Sequence, residues 1–142
     1  MSMLVAALVF VLLLAAALAH LLWSFGSRWP IRDPELLART VIGRPGVTRV
    51  PRLMALLVAI GTLAAGILAL ALADHTAGGW TLSLAGAAVG ALFLTRGALA
   101  FTPAWRERHP VEPFATLDRR NYGPLCLGIG AGFVILVIMR LL

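Results

Sequence analysis

Residues 3–25 read MLVAALVFVLLLAAALAHLLWSF, a run of twenty-three positions without a formal charge. A helix of that length rises about 35 Å, enough to cross a hydrocarbon layer of roughly 30 Å. Three further runs share this character, at about 53–73, 80–101 and 122–139. Lipid offers no water to backbone N–H and C=O groups, so each run must close its own hydrogen bonds as a helix. The lengths and glycine content do not suit a membrane β-barrel, whose strands alternate every second residue. The expected fold is an all-α integral membrane protein: a four-transmembrane-helix bundle forming a single membrane domain over 1–142.

Composition agrees. The chain of 142 residues is 61% hydrophobic and 13% charged. Soluble domains sit near about 45–50% apolar and about 25% charged. All twelve cationic side chains are Arg, and the net charge is +6. Those charges lie in short connections beside apolar spans, where orientation and lipid phosphate contacts account for them, so no nucleic-acid partner is expected. Cys126 is the single cysteine, which excludes an intramolecular disulfide and a CxxC redox pair. Ala17-Leu18-Ala19 resembles a signal cleavage site, but no Arg or Lys precedes the apolar run. The first run is therefore expected to be a retained span.

The arginines are sorted. The first connection carries Arg28, Arg32, Arg39, Arg44, Arg49 and Arg52, and the third carries Arg106, Arg108, Arg119 and Arg120. The second, over 74–79, carries none, and Arg140 stands near the C-terminus. The positive-inside rule then places the first and third connections in the cytoplasm and both termini outside. Trp23, Trp29, Trp105 and Tyr122 fall near the same boundary, where aromatic belts sit, and Trp80 marks the outer side.

The first connection also holds a helix signal. Asp33 is an N-cap type, Pro34 suits the first helical position, and Glu35 adds an acid to the first turn. Gly43 is a C-terminal stop. A short interfacial helix is expected at about 34–42, with Glu35 and Arg39 spaced i,i+4.

Small residues supply packing faces: Gly86, Gly90 and Gly97 on the third span, Gly128, Gly130 and Gly132 on the fourth, Gly61 and Gly66 on the second. Such faces let helices approach within the chain, and they equally suit a homo-oligomer or another membrane subunit.

The orientation brings several polar residues to one depth. His20 lies near the end of the first span, Arg96 near the end of the third, and Tyr122 and Cys126 open the fourth from the same side. His20, Trp23 and Ser24 share one helix face; Tyr122, Cys126 and Gly130 share another. An ionisable residue inside a span marks a functional candidate. Arg96 is the leading one, with two readings: its guanidinium snorkels to the headgroups, or it meets a buried partner or an anionic ligand. His20, Trp23, Arg96, Tyr122 and Cys126 are the candidate ligand-binding set. His75 and His109 lie in connections without clustered carboxylates, so no metal site is expected. No catalytic triad, phosphate-cradling loop or HExxH appears, and no catalytic residue is assigned. Asp118, with Glu107 and Glu112, reads as balancing the arginines of the third connection.

Two motifs carry a resemblance. His20-Leu-Leu-Trp23-Ser-Phe-Gly26 with Trp29-Pro30, and Arg120-Asn121-Tyr122-Gly123-Pro124-Leu125-Cys126, resemble the motifs that close the first span and open the last in a family of small four-span bacterial membrane proteins. That family is a domain of unknown function, family 3995. Gly123 stands where its last motif carries Ser. The resemblance implies a multi-pass protein of the bacterial cytoplasmic (inner) membrane, and groups His20, Trp23, Tyr122 and Cys126. It implies no activity and no cofactor.

Three functions follow as expectations. The first is a non-enzymatic accessory or scaffold subunit of a membrane complex, with lipids, other subunits or a homo-oligomer as partners. The second is a lipid-, quinone- or haem-binding protein using the cytoplasmic-side cluster. The third is a small oligomeric transporter.

Overall fold

The computed structural model describes residues 1–76 and 78–142; Ala77, in the short second connection, lies outside the described residues. The described chain is helical throughout its ordered elements. These are α1 (Ser2–Ser24), α2 (Pro34–Val41), α3 (Arg52–Ala73), α4 (Gly79–Leu99), α5 (Pro103–Arg108), α6 (Phe114–Leu117), a π-helical turn (Asp118–Tyr122) and α7 (Gly123–Leu141). Four helical stretches among the described residues are long and apolar enough to cross a membrane: α1, α3, α4 and the continuous stretch Phe114–Leu141. The chain is a multi-pass membrane protein. The four apolar runs fall on α1, α3, α4 and α7 and the short helix of the first connection on α2, while the fourth helical stretch starts earlier than its apolar run, at Phe114.

The bundle is built from two antiparallel pairs, α1 with α3 and α4 with α7, joined through α1–α7, α3–α4 and α3–α7 contacts. Ala6, Val9 and Leu13 of α1 meet Ala65, Ala69, Leu72 and Ala73 of α3, together with Ile129, Phe133 and Leu136 of α7. Side chains this small bring the α1 and α3 backbones close. The α4–α7 pair meets backbone against backbone at two glycines. A Cβ on Gly97 would sit 2.8 Å from both the Gly123 carbonyl oxygen and the Leu127 amide nitrogen. A Cβ on Gly130 would sit 2.9 Å from the Leu94 amide nitrogen. Many large apolar side chains, such as Leu57, Ile60, Ile67 and Leu92, point outward, as a lipid solvent allows.

The two ends differ. At one end the α3 carbonyls are closed by Arg140, whose Nη1 donates to the Asp74 carbonyl at 2.6 Å and to the Leu72 carbonyl at 3.4 Å. A cation over helix-terminal carbonyls also complements the helix dipole.

At the other end the two arginine-rich connections fold into a cap. Asp33 accepts the Glu35 N–H at 3.0 Å, with Pro34 opening α2. Gly43 ends that helix at φ +68°, and its amide returns to the Ala38 carbonyl. The third connection repeats the device: Thr102 Oγ1 accepts the Trp105 N–H, and Pro103 opens α5. The Val111 amide donates to the Gly43 carbonyl at 3.2 Å, and the Phe114 ring lies against Gly43, so a Cβ there would overlap the ring. A second cluster of Trp23, Leu37 and Ala55 seats α2 on the ends of α1 and α3.

Candidate functional site

Arg96 lies in the last turn of α4 and meets Asp118, the first residue of the π turn. Its Nη2 donates to Asp118 Oδ1 at 2.6 Å. The second carboxylate oxygen accepts the indole N–H of Trp105 at 2.8 Å. The guanidinium also lies over the Trp105 ring, 4.7 Å from its centroid. Asp118 is buried, with 4% of its side chain exposed, and Arg96 keeps 30%. A carboxylate this deep is tenable only with its charge matched and its oxygens filled, and both conditions hold. Arg96 thus joins α4, α5 and the start of α7, and its charge is met by a protein carboxylate rather than by headgroups alone. Among the described residues its buried Nη1 has no hydrogen-bond partner.

The local sequence explains the placement. Pro124 has no N–H to give to the Arg120 carbonyl, and the helix takes π register there, with the Gly123 amide returning to the Asp118 carbonyl. One extra residue in a turn rotates what precedes it by about 100° relative to α7. Asp118 thereby faces α4.

The network continues outward. His109, buried, stacks on Trp105 with ring centroids 4.0 Å apart. Arg44 Nε donates to His109 Nε2 at 3.1 Å. With Nε2 an acceptor, the ring proton sits on Nδ1 and donates to the Trp105 carbonyl, also at 3.1 Å. Phe114 lies between His109 and Tyr122, and the Tyr122 hydroxyl donates to the Thr40 carbonyl at 3.2 Å. Beside this network is a cavity of about 390 Å³ whose wall includes Arg44, Arg96, Trp105, His109, Ile42 and Met54.

The five sequence-predicted residues divide into two groups. Arg96 and Tyr122 belong to this network, and half-buried Cys126 lies within electrostatic reach of Arg96 and Asp118. His20 and Trp23 belong to the α1–α3 side. The His20 Nδ1 pairs with the Ala16 carbonyl at 2.8 Å, and its ring meets Trp23 edge-on at 4.8 Å. The buried Trp23 donates its indole N–H to the Trp29 carbonyl at 2.8 Å. Among the described residues no hydrogen bond, ion pair or ring contact links His20 or Trp23 to Arg96, Tyr122 or Cys126.

Asp118, Trp105, His109 and Arg44 are the functional candidates that sequence reasoning missed. One signal was available: Thr102-Pro103 repeats the helix-start chemistry of Asp33-Pro34, and so predicts a helix carrying Trp105 toward the bundle. No group of three or more His, Cys, Asp or Glu side chains able to hold a metal occurs among the described residues.

The model of a family described as "Protein of unknown function (DUF3995)" matches residues 3–133, nearly the whole chain and both of the motifs singled out above. No curated protein and no solved structure matches.

Proposed function

The chain belongs to this family of proteins of unknown function, and from that premise we propose that it is a non-enzymatic accessory or scaffold subunit of a membrane complex. The single observation that carries this reading is the use made of Arg96. The charged side chain set within α4 is tied to Asp118 and Trp105, so it fixes the shape of the bundle end. Intramembrane charge that serves chemistry usually faces a ligand or an ion path. With the arginine-rich end in the cytoplasm, as charge asymmetry favours, the cap presents a fixed basic surface beside four spans. Isolation in mild detergent followed by cross-linking and mass spectrometry tests the proposal. A recurring membrane-protein partner is expected; a strictly monomeric species with nothing co-purifying contradicts it.

A second reading has its own observation. The cavity beside Arg96, Arg44 and His109 combines two guanidinium groups with apolar walls at the boundary of the spans, which suits a lipid, a quinone or a haem carboxylate. An absorption spectrum and mass spectrometry of extracted small molecules separate the two readings. A colourless preparation that releases no small molecule counts against ligand binding.

A further inference from the structure

We infer that the first arginine-rich connection forms a binding site for the phosphate headgroup of an anionic phospholipid, held by Arg28, Arg49 and Arg52. This goes beyond the scaffold reading and does not depend on it. Where α1 ends and α3 begins, the chain forms a partly open hollow of about 390 Å³ lined in part by these three arginines, all of them exposed. None of the residues that line it is acidic. Neither a side-chain hydrogen bond nor an ion pair engages any of the three among the described residues. Asp33, the nearest acid in sequence to Arg28, is held as the cap of α2.

Three unpaired cations around one hollow repel each other, and an anion in the hollow removes that cost. The backbone adds to it. α3 begins at Arg52, beside the hollow, with no side-chain cap and no acid in its first turn, so its first amides have no side-chain acceptor among the described residues. A cation at that position is unfavourable alone and becomes favourable once a phosphate sits between. Gly26, at φ +87°, makes room for Arg52: a Cβ there would lie 2.7 Å from Nη2. Ser27 adds a hydroxyl to the wall.

The remaining chemistry favours a lipid over a free anion. Trp23, Leu37 and Val50 give the hollow an apolar floor. Phe25, Trp29 and Leu53, each next in sequence to a residue that lines it, are exposed large apolar side chains of the kind that sit where a span meets the interface. A phosphodiester joined to a glycerol and acyl chains satisfies both halves. Guanidinium forks match phosphate oxygens in pairs.

The test uses the full chain reconstituted in phosphatidylcholine nanodiscs doped with a minority of phosphatidylglycerol, with native mass spectrometry counting retained lipids. The intact protein is expected to retain phosphatidylglycerol in excess of its share of the bilayer. The variant R28Q/R49Q/R52Q is expected to lose that preference by at least about fivefold, the value of one basic residue at an anionic surface. The control R106Q/R108Q/R120Q removes the same charge from the other connection and is expected to keep the preference. Thermal melting of both variants checks that they fold, and the single variant R52Q, expected to show a partial loss, replaces the triple variant if the latter melts early. Equal losses in the two triple variants would overturn the site in favour of diffuse charge. Displacement by inorganic phosphate with no preference for phosphatidylglycerol would overturn the lipid in favour of a soluble anion.

Discussion

The α1–α3 pair and the α4–α7 pair solve one problem in different ways. Both must hold two apolar helices together in a solvent as apolar as they are. The first does so through alanine and side-chain contact, with Ala6, Ala17, Ala55, Ala59 and Ala69 buried along it. Its polar groups, such as His20 and Thr62, are closed locally on their own helix. The second brings backbone against backbone at Gly97 and Gly130, then adds a buried ion pair at one end. At Gly97 and Gly130 a new methyl would meet backbone atoms that cannot move aside as the end of a side chain can, and a buried carboxylate cannot lose its partner cheaply. The α4–α7 pair should therefore be the sensitive half of the molecule.

The sharpest way to break that contrast is Asp118→Ala. It leaves Arg96 without its counter-charge and Trp105 without its acceptor, and should cost about 3–5 kcal/mol in a denaturant titration of the detergent-solubilised protein. Next is Gly97→Ala, where the new methyl meets backbone atoms of α7; a loss of about 1–3 kcal/mol is expected. Its counterparts are Gly61→Ala and Gly128→Ala. Among the described residues a Cβ at either meets nothing within 4 Å, so each should stay within about 0.5 kcal/mol of the parent. A large effect at Gly61 would show that the outer face of α3 packs against another chain. Arg140→Gln should be smaller than the first two, about 0.5–1 kcal/mol, through the uncapped α3 carbonyls.

The smallest effect concerns Asp74 at the end of α3. Hydrogen bonds from the Thr76 hydroxyl and amide hold its carboxyl below the ordinary carboxylate value, with help from Arg140 and His75. A lowered folded value means the contribution is complete above the ordinary carboxylate range and is lost as pH falls through the lowered one. Melting temperature should be flat around neutrality for this group, with the loss confined to strongly acidic pH. Thr76→Ala should shift the Asp74 titration upward when followed by NMR.

Much of this was legible in the sequence because it depends on runs and on neighbours. Span positions follow from apolar length. The α2 cap follows from Asp33-Pro34, and its end from Gly43. The candidate site was legible only in depth. His20, Arg96, Tyr122 and Cys126 were placed at one level, but depth along a helix says nothing about which helices pair. Since α1 pairs with α3 and α4 with α7, His20 and Arg96 stand on helices of different pairs. Asp118 was hidden for another reason. An acid among arginines reads as surface charge balance, and only the π register at Pro124 turns it inward. A one-residue insertion in a helical turn leaves no periodic trace that a short apolar segment could reveal.

The central claim is that Arg96 and Asp118 act as a pair that holds the arginine-rich end. A double-mutant cycle of Arg96→Leu and Asp118→Leu, read by detergent unfolding, tests it most directly. The expected result is that each single variant is strongly destabilised while the double variant recovers most of the loss, because neither charge is left alone. Single losses that simply add, or an Arg96→Leu protein as stable as the parent, would contradict it and return Arg96 to the headgroups.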